Sequence, residues 1–355
     1  MQTLNEKLPQ VPKENAFHFI RLACCLIVIY EHAAVLCDAG IPCLNLRGMA
    51  VDVFFILSGF WVTLSYLKSS SAKGYALKRI RRIFPQYAAT VVLGAVLLAS
   101  FSSLELRTYF SSSEFWKYLA ANLCTLNFLH PSLPGVFGDV AVNGSLWTVK
   151  IELAFYMLLP AVIFLHTQKN GNLILSCGMG GGIVLVALYS LSVLWEVYMP
   201  RITEIFRLPS EIAHQFPAFL SYFASGMLFV FCWERLVPRL KYIAPVCAVV
   251  LAAVSAAGVP FVVEFVRPFC LAAVVMFVAL KACPLFGVVK NDFSYGMYLV
   301  HYPAVLCVAS FGVFEENPAF AFLLVLALSF FCSYLLDCFQ RALEGLNKLH
   351  KEARP

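Results

Sequence analysis

The chain has 355 residues, 61% of them hydrophobic and 13% charged, with a mean hydropathy of +0.80 and a formal net charge of +6. Soluble domains carry roughly 25% charged residues, so this composition excludes a soluble globular protein and makes lipid the solvent for much of the surface. No Gly-rich phosphate loop or nucleic-acid motif stands out, and the thirteen cysteines show no CxxC pair or zinc spacing.

Apolar runs of roughly 17–25 residues predict an all-α polytopic membrane protein of about ten spans. They fall near 17–37, 50–67, 85–101, 147–165, 172–195, 214–233, 242–259, 261–280, 293–313 and 318–338. One membrane domain over 1–355 accounts for them, with a polar leader (1–16) and a cytoplasmic tail (339–355). No small-residue cleavage site follows the first run, which therefore reads as a retained helix.

That first helix, FHFIRLACCLIVIYEHAAVL, carries Arg21 and His32. Eleven residues apart, they differ by about 20° around the axis and about 16.5 Å along it. Either alone has a plain role, His32 as a packing histidine and Arg21 as an interfacial anchor. Together on one face they predict a polar tunnel, because ionisable groups at membrane depth face a bundle interior or a wet cavity. Most cysteines, such as Cys24, Cys25 and Cys270, sit in apolar runs as small buried residues. Cys37 and Cys43 flank the first outer loop, where a disulfide is open.

The second span, VDVFFILSGFW, places Asp52 near its outer end, either as a partner that orients His32 or as a helix cap. Ser58 and Gly59 form a small-residue patch suited to close helix packing. Next come Lys78, Arg79, Arg81 and Arg82 before Pro85, with Arg79 and Arg82 at i,i+3 and Pro85 expected in the first turn of the third span. They suit either anchoring to acidic lipid or a phosphorylated ligand.

Phe115 to Leu129 resembles a further span, but Asn122, Asn127 and flanking prolines weaken it, so 102–146 reads as an interfacial or re-entrant segment. The fourth span opens NGSLWTVKIELAFYMLLP, with Ser145, Glu152 and Tyr156 expected on one face. Gly258 and Pro260 mark a tight hairpin between the seventh and eighth spans. The ninth, SYGMYLVHYP, carries Ser294, Tyr298 and His301 at i, i+4 and i+7, with Pro303 expected to kink it. Most Lys and Arg, notably 68–82, 235–241 and 341–354, fall on one side of this topology, which predicts both termini in the cytoplasm.

In order, these segments resemble acyltransferase family 3, membrane proteins that typically O-acylate bacterial surface glycans. Arg21 to His32 matches its R-x10-H signature. AVDVFFILSGFW is similar to its GVDxFFxxSGF block, with Ala50 in place of glycine. Arg79 and Arg82 match an RxxR element before Ile83-Phe84-Pro85. Trp147, Glu152, Tyr156 and Pro160 match GxxWxxxxExxFYxxxP, SYGMYLVHYP matches SYxxYLxHxP, and Arg341 with Glu344 resembles the closing RxxE.

The resemblance implies a multi-pass protein of the bacterial inner (cytoplasmic) membrane that transfers an acyl group from acyl-CoA, usually acetyl-CoA, with no metal. The acceptor would be a hydroxyl of a surface or lipid-linked glycan. His32, Asp52 and Glu152 would be catalytic, and Arg21, Arg79 and Arg82 would hold the CoA phosphates. Ser145, Trp147, Tyr156, Tyr298 and His301 would bind substrate or support the site. A stand-alone form is expected, since no hydrolase-like domain follows the spans. The rival readings are a secondary transporter of a small anion or lipid-linked sugar, although no inverted repeat is visible, and a membrane scaffold.

Overall fold

Backbone in lipid must satisfy its own polar groups, which long apolar runs do by forming helices. The computed structural model describes residues 8–37, 42–138, 140–166, 179–282 and 292–352. Among these the chain is helical apart from turns and one isolated bridge between Ser102 and Val136. The principal helices are α1 (Phe17–Leu36), α2 (Arg47–Leu67), α3 (Ala72–Leu97), α4 (Leu106–Ser111), α5 (Ser113–Leu123) and α6 (Trp147–His166). They continue as α7 (Met179–Ile205), α8 (Leu220–Phe231), α9 (Leu240–Ala257), α10 (Pro260–Phe277), α11 (Ser294–Ala309) and α12 (Pro318–Glu352).

Among the described residues, eight stretches are long and apolar enough to cross a membrane: those built on α1, α2, α3, α6, α7, α9, α10 and α12. The other two predicted spans are shorter, with 12 residues in α8 and 16 in α11. Local chemistry trims them. Pro217 opens a 3-10 turn, Phe216–Phe219, ahead of α8, and Asp292 accepts the Ser294 amide proton at 3.2 Å ahead of α11. A tight turn at Gly312 (φ 71°) follows α11. Hydropathy averages over such interruptions. The start of the predicted fifth span, 172–178, lies outside the described residues. Helices α4 and α5, inside 102–146, have 6 and 11 residues, too short to cross.

Two sequence expectations change. Pro85 does not open the third span, because α3 begins at Ala72 and carries Pro85 in its interior. Ser145 does not share a helical face with Glu152, because it lies in a 3-10 turn, Gly144–Leu146, that precedes α6. Interior prolines persist because other groups take up the carbonyls they strand. Pro160 cannot donate to the Tyr156 carbonyl, and the Tyr75 hydroxyl does so instead at 3.3 Å. The predicted α9–α10 hairpin forms as expected, with Gly258 left-handed (φ 65°) after α9 and Pro260 opening α10.

The chain divides into two compact units, each discontinuous in sequence. The first comprises Met1–Ile20, Gly48–Ala76 and Ile151–Lys290. Its core is aromatic: Phe155 stacks on Phe223 at 4.3 Å and meets Phe55 edge-on at 5.3 Å. Gly59 and Gly226 let α2 and α8 touch backbone to backbone, since a methyl group on either would stand 2.1 Å from a carbonyl oxygen of the other helix. The small-residue patch at Ser58 and Gly59 is thus a packing feature.

The second unit comprises Arg21–Arg47, Leu77–Lys150 and Asn291–Pro355. Within it α11 packs closely on α12 at Gly296, where Ser333 fills the space a side chain would need. Tyr87 and Tyr109, both buried, donate to the carbonyls of Asn122 and Ala95 and tie α3 to the short helices that follow.

Candidate functional site

The face of α1 predicted from spacing is used as a face. Arg21 pairs with Asp292 at 2.9 Å, the Cys25 thiol reaches the Ser294 carbonyl at 3.4 Å, and His32 Nδ1 lies 2.8 Å from His301 Nε2. All three partners belong to α11 or the residues just before it, so the two helices run parallel along this stripe. Both imidazoles are buried, His32 at 9% exposure and His301 at 0%. Their rings tilt together at 5.0 Å between centroids, and Tyr302 meets His32 edge-on at 5.2 Å.

Pro303 builds the far side of this pair. Lacking an N–H, it leaves the Leu299 carbonyl without its helical donor. Asn143 Nδ2 donates there at 2.7 Å. The Ser145 hydroxyl donates to Asn143 Oδ1 at 2.7 Å and reaches the Tyr298 carbonyl at 3.3 Å, while the Thr148 hydroxyl bonds the Tyr298 hydroxyl at 3.0 Å. Gly144 allows the approach, because a Cβ there would stand 2.9 Å from the Tyr302 ring. The GSLW segment therefore docks on α11 beside His301. Of the residues expected to support the site, Ser145, Tyr298 and His301 come together here, and Trp147, half-buried, opens α6 next to Thr148.

Glu31, beside His32, is 2% exposed and clamps the loop that follows α1. Its carboxylate accepts from the Leu44 and Leu46 amides at 2.9 and 3.3 Å and from the Cys43 thiol at 2.8 Å. Cys37 and Cys43 are free thiols, not a disulfide. On α3, Arg79 is half-buried and Arg82 exposed. Arg21, expected among the phosphate ligands, already has a carboxylate partner in Asp292.

Two expected residues lie in the first unit. Asp52 sits inside α2, which begins at Arg47, and so is not a helix cap. It is 5% exposed and takes an ion pair from Arg267 at 2.6 Å, with Tyr222 hydrogen-bonded to it and Glu264 and Glu196 in electrostatic reach. The His32 ring is hydrogen-bonded to His301, which stands in the role the sequence had offered to Asp52. Glu152 accepts a hydrogen bond from Tyr156, one turn along α6.

Sequence reasoning did not single out Asp292, Asn143, Thr148, Glu31 or Arg267 as site residues. Asp292 and Asn143 lie at helix starts, where polar residues are ordinary. The available signal was Pro303, whose stranded carbonyl requires a polar donor.

Residues 14–338 match the family described as the acyltransferase domain. The chain belongs to this acyltransferase family. It is similar to nodulation protein 10 of Rhizobium leguminosarum bv. viciae, at 26% identity over 227 residues, which covers 54% of this chain and 62% of that protein. It is also similar to an O-acetyl transferase of Shigella phage Sf6, at 28% over 197 residues, covering 52% and 54%. A third relative is the peptidoglycan O-acetyltransferase OatA of Listeria monocytogenes, at 24% over 299 residues, covering 72% and 44%. The chain thus spans about half the length of the curated relatives it matches. No solved structure matches it.

Proposed function

We propose that the chain is a membrane O-acyltransferase that moves an acyl group, acetyl in the first instance, from acyl-CoA on the cytoplasmic side to a hydroxyl of a surface or lipid-linked glycan. One observation carries the reading: His32, in hydrogen-bond contact with a second buried imidazole, shares a face of α1 with a paired arginine, inside a chain of an acyltransferase family. A buried imidazole is suited to taking the proton of a hydroxyl as that oxygen attacks a thioester carbonyl. The phage O-acetyl transferase and the Listeria peptidoglycan O-acetyltransferase among the chain's relatives support an O-linked acceptor.

In this scheme Arg79 and Arg82 on α3 receive the phosphates of CoA, because guanidinium forks suit phosphate oxygens. Arg21 is held by Asp292 and contributes a fixed charge at the Asp292 end of the α1–α11 stripe. His32 removes the hydroxyl proton as the new O–acyl bond forms and the C–S bond breaks, and the proton passes to the departing thiolate. Asp52 and Glu152 enter through the motif match, as residues whose loss lowers transfer.

The donor half is tested without knowing the acceptor. Ligand that binds only the folded state raises the melting temperature, by about 2.7 kcal/mol of added stability at a hundredfold excess over Kd. Acetyl-CoA should stabilise the purified protein, and Arg79→Ala/Arg82→Ala should lose most of that gain. No shift at millimolar acetyl-CoA would contradict the donor assignment.

A further inference from the structure

We infer that His301 is the positioning residue of His32, and that it fixes Nε2 of His32 as the nitrogen through which that residue takes a proton. The inference rests on the acyl-transfer reading above. It follows from one hydrogen-bond chain whose direction is set at its far end.

That end is the Tyr298 backbone carbonyl, 2.7 Å from His301 Nδ1. A carbonyl oxygen only accepts, so the proton of this bond lies on His301 Nδ1. A neutral imidazole carries one N–H, which leaves His301 Nε2 as a lone pair. His32 Nδ1, 2.8 Å from that nitrogen, must then supply the proton of the second bond. Its own Nε2 is left as the basic lone pair. Each step fixes the next, from the Tyr298 carbonyl through His301 Nδ1–H and Nε2 to His32 Nδ1–H.

The chain runs the other way only if His301 carries both protons. That state would place a cation on a side chain with 0% exposure whose ring hydrogen-bond partners, among the described residues, are the Tyr298 and Met297 backbones and a second imidazole. An unpaired cation at membrane depth is the costly alternative. The surroundings also hold the rings in place. Tyr302 packs edge-on against His32, Tyr298 packs at 5.4 Å from His301, and Ser145 and Thr148 reach the Tyr298 carbonyl and hydroxyl.

The logic is that of a hydrolase triad, in which a buried group on one ring nitrogen sets the tautomer and leaves the other to react. Here a neutral imidazole, itself oriented by a backbone carbonyl, takes the place of the carboxylate. During transfer His32 Nε2 takes the acceptor's hydroxyl proton, the acceptor oxygen bonds the acyl carbon, and the thioester C–S bond breaks. The same proton then leaves Nε2 for the thiolate. His301 accepts from His32 Nδ1–H throughout and gains no proton.

Two measurements test this. Solid-state NMR of the wild-type protein with nitrogen-labelled histidine should show His32 protonated at Nδ1 and bare at Nε2; the reverse tautomer would overturn the inference whether or not any variant folds. In kinetics, Gln at 301 keeps an acceptor near the Nε2 position, whereas Asn reaches only the Nδ1 position and Phe offers none. His301→Asn and His301→Phe should lower kcat by on the order of a hundredfold, with KM for acetyl-CoA nearly unchanged. His301→Gln should recover at least a tenth of wild-type kcat. If His301→Gln and His301→Asn are equally impaired while His32→Gln is inactive, the positioning role is wrong and the acyl-transfer reading stands. If His32→Gln is as active as wild type, that reading itself fails.

Discussion

Gly144 and Glu31 each control the surroundings of His32 without touching substrate. A methyl at 144 would press on the Tyr302 ring, whose edge rests on His32. Displacements of a fraction of an ångström at reacting groups cost turnover steeply, and Gly144→Ala should lower kcat about tenfold with folding unaffected. Steady-state kinetics on membranes with matched protein levels would check this, and unchanged kcat would remove Tyr302 from the site. Glu31 is a different case, a buried carboxylate that satisfies two loop amides and a thiol. Glu31→Ala should cost about 2 kcal/mol by thermal unfolding in detergent, and Glu31→Gln less, because the amide oxygen still accepts. Much of this scale was legible in the sequence. The Arg21–His32 face needed only the helical repeat, and Ser294, Tyr298 and His301 are all buried as their stripe predicted. The pairing of His32 with His301 was not legible, because it joins residues 269 apart in the chain and depends on which helices meet.

Among elements, helix contacts in lipid are made by close approach and by polar pairs, since neighbouring helices and lipid tails are equally apolar. The crossing of α2 and α8 illustrates the first. Gly59→Leu or Gly226→Leu would force apart backbones already in contact, costing at least the ~1–3 kcal/mol of an overpacked core. Thermal melts should show a lower Tm for each, and an unchanged Tm would mean the two helices separate freely. Asp52 with Arg267 illustrates the second. Removing one partner leaves a charge stranded at depth, on the order of 3 kcal/mol for a buried pair, less here because Arg267 is 29% exposed. Arg267→Gln should therefore destabilise, and Asp52→Asn/Arg267→Gln should regain part of the loss. If the double variant regains stability but not acyl transfer, Asp52 has a role beyond the pair. Sequence reading placed Asp52 near the outer end of the second span and treated Arg267 only as a charge within a span, because a single hydropathy profile assigns no partners.

At the scale of the molecule, the direction of α11 counts crossings. Arg21 meets Asp292 and His32 meets His301, so α1 and α11 are parallel. Six of the eight long apolar helices lie between them in sequence, and six crossings would turn α11 antiparallel to α1. A crossing by the buried α8 would supply the seventh, and with α11 would give the ten crossings expected from hydropathy, with both termini on one side. The Lys and Arg distribution predicts that side to be the cytoplasm. Reporters fused to each terminus should both read cytoplasmic, and cysteine labelling at positions 211 and 239 should place the two ends of α8 on opposite faces. Labelling from the same face would remove the seventh crossing. Ten apolar runs were readable in the sequence; the trimming of α8 and α11 was not, because Pro217, Asp292 and Gly312 act through local geometry rather than hydropathy.

The central claim is that His32 drives acyl transfer from a CoA thioester to a hydroxyl. Membranes from cells expressing the chain, supplied with acetyl-CoA labelled in the acetyl group, test it directly. Label should appear in a glycan or glycolipid fraction, be released by mild alkali as an ester is, and fall to background in His32→Gln membranes with equal amounts of folded protein. Alkali-labile labelling of the same extent from His32→Gln, or none above vector from the wild type across candidate acceptor fractions, would contradict it.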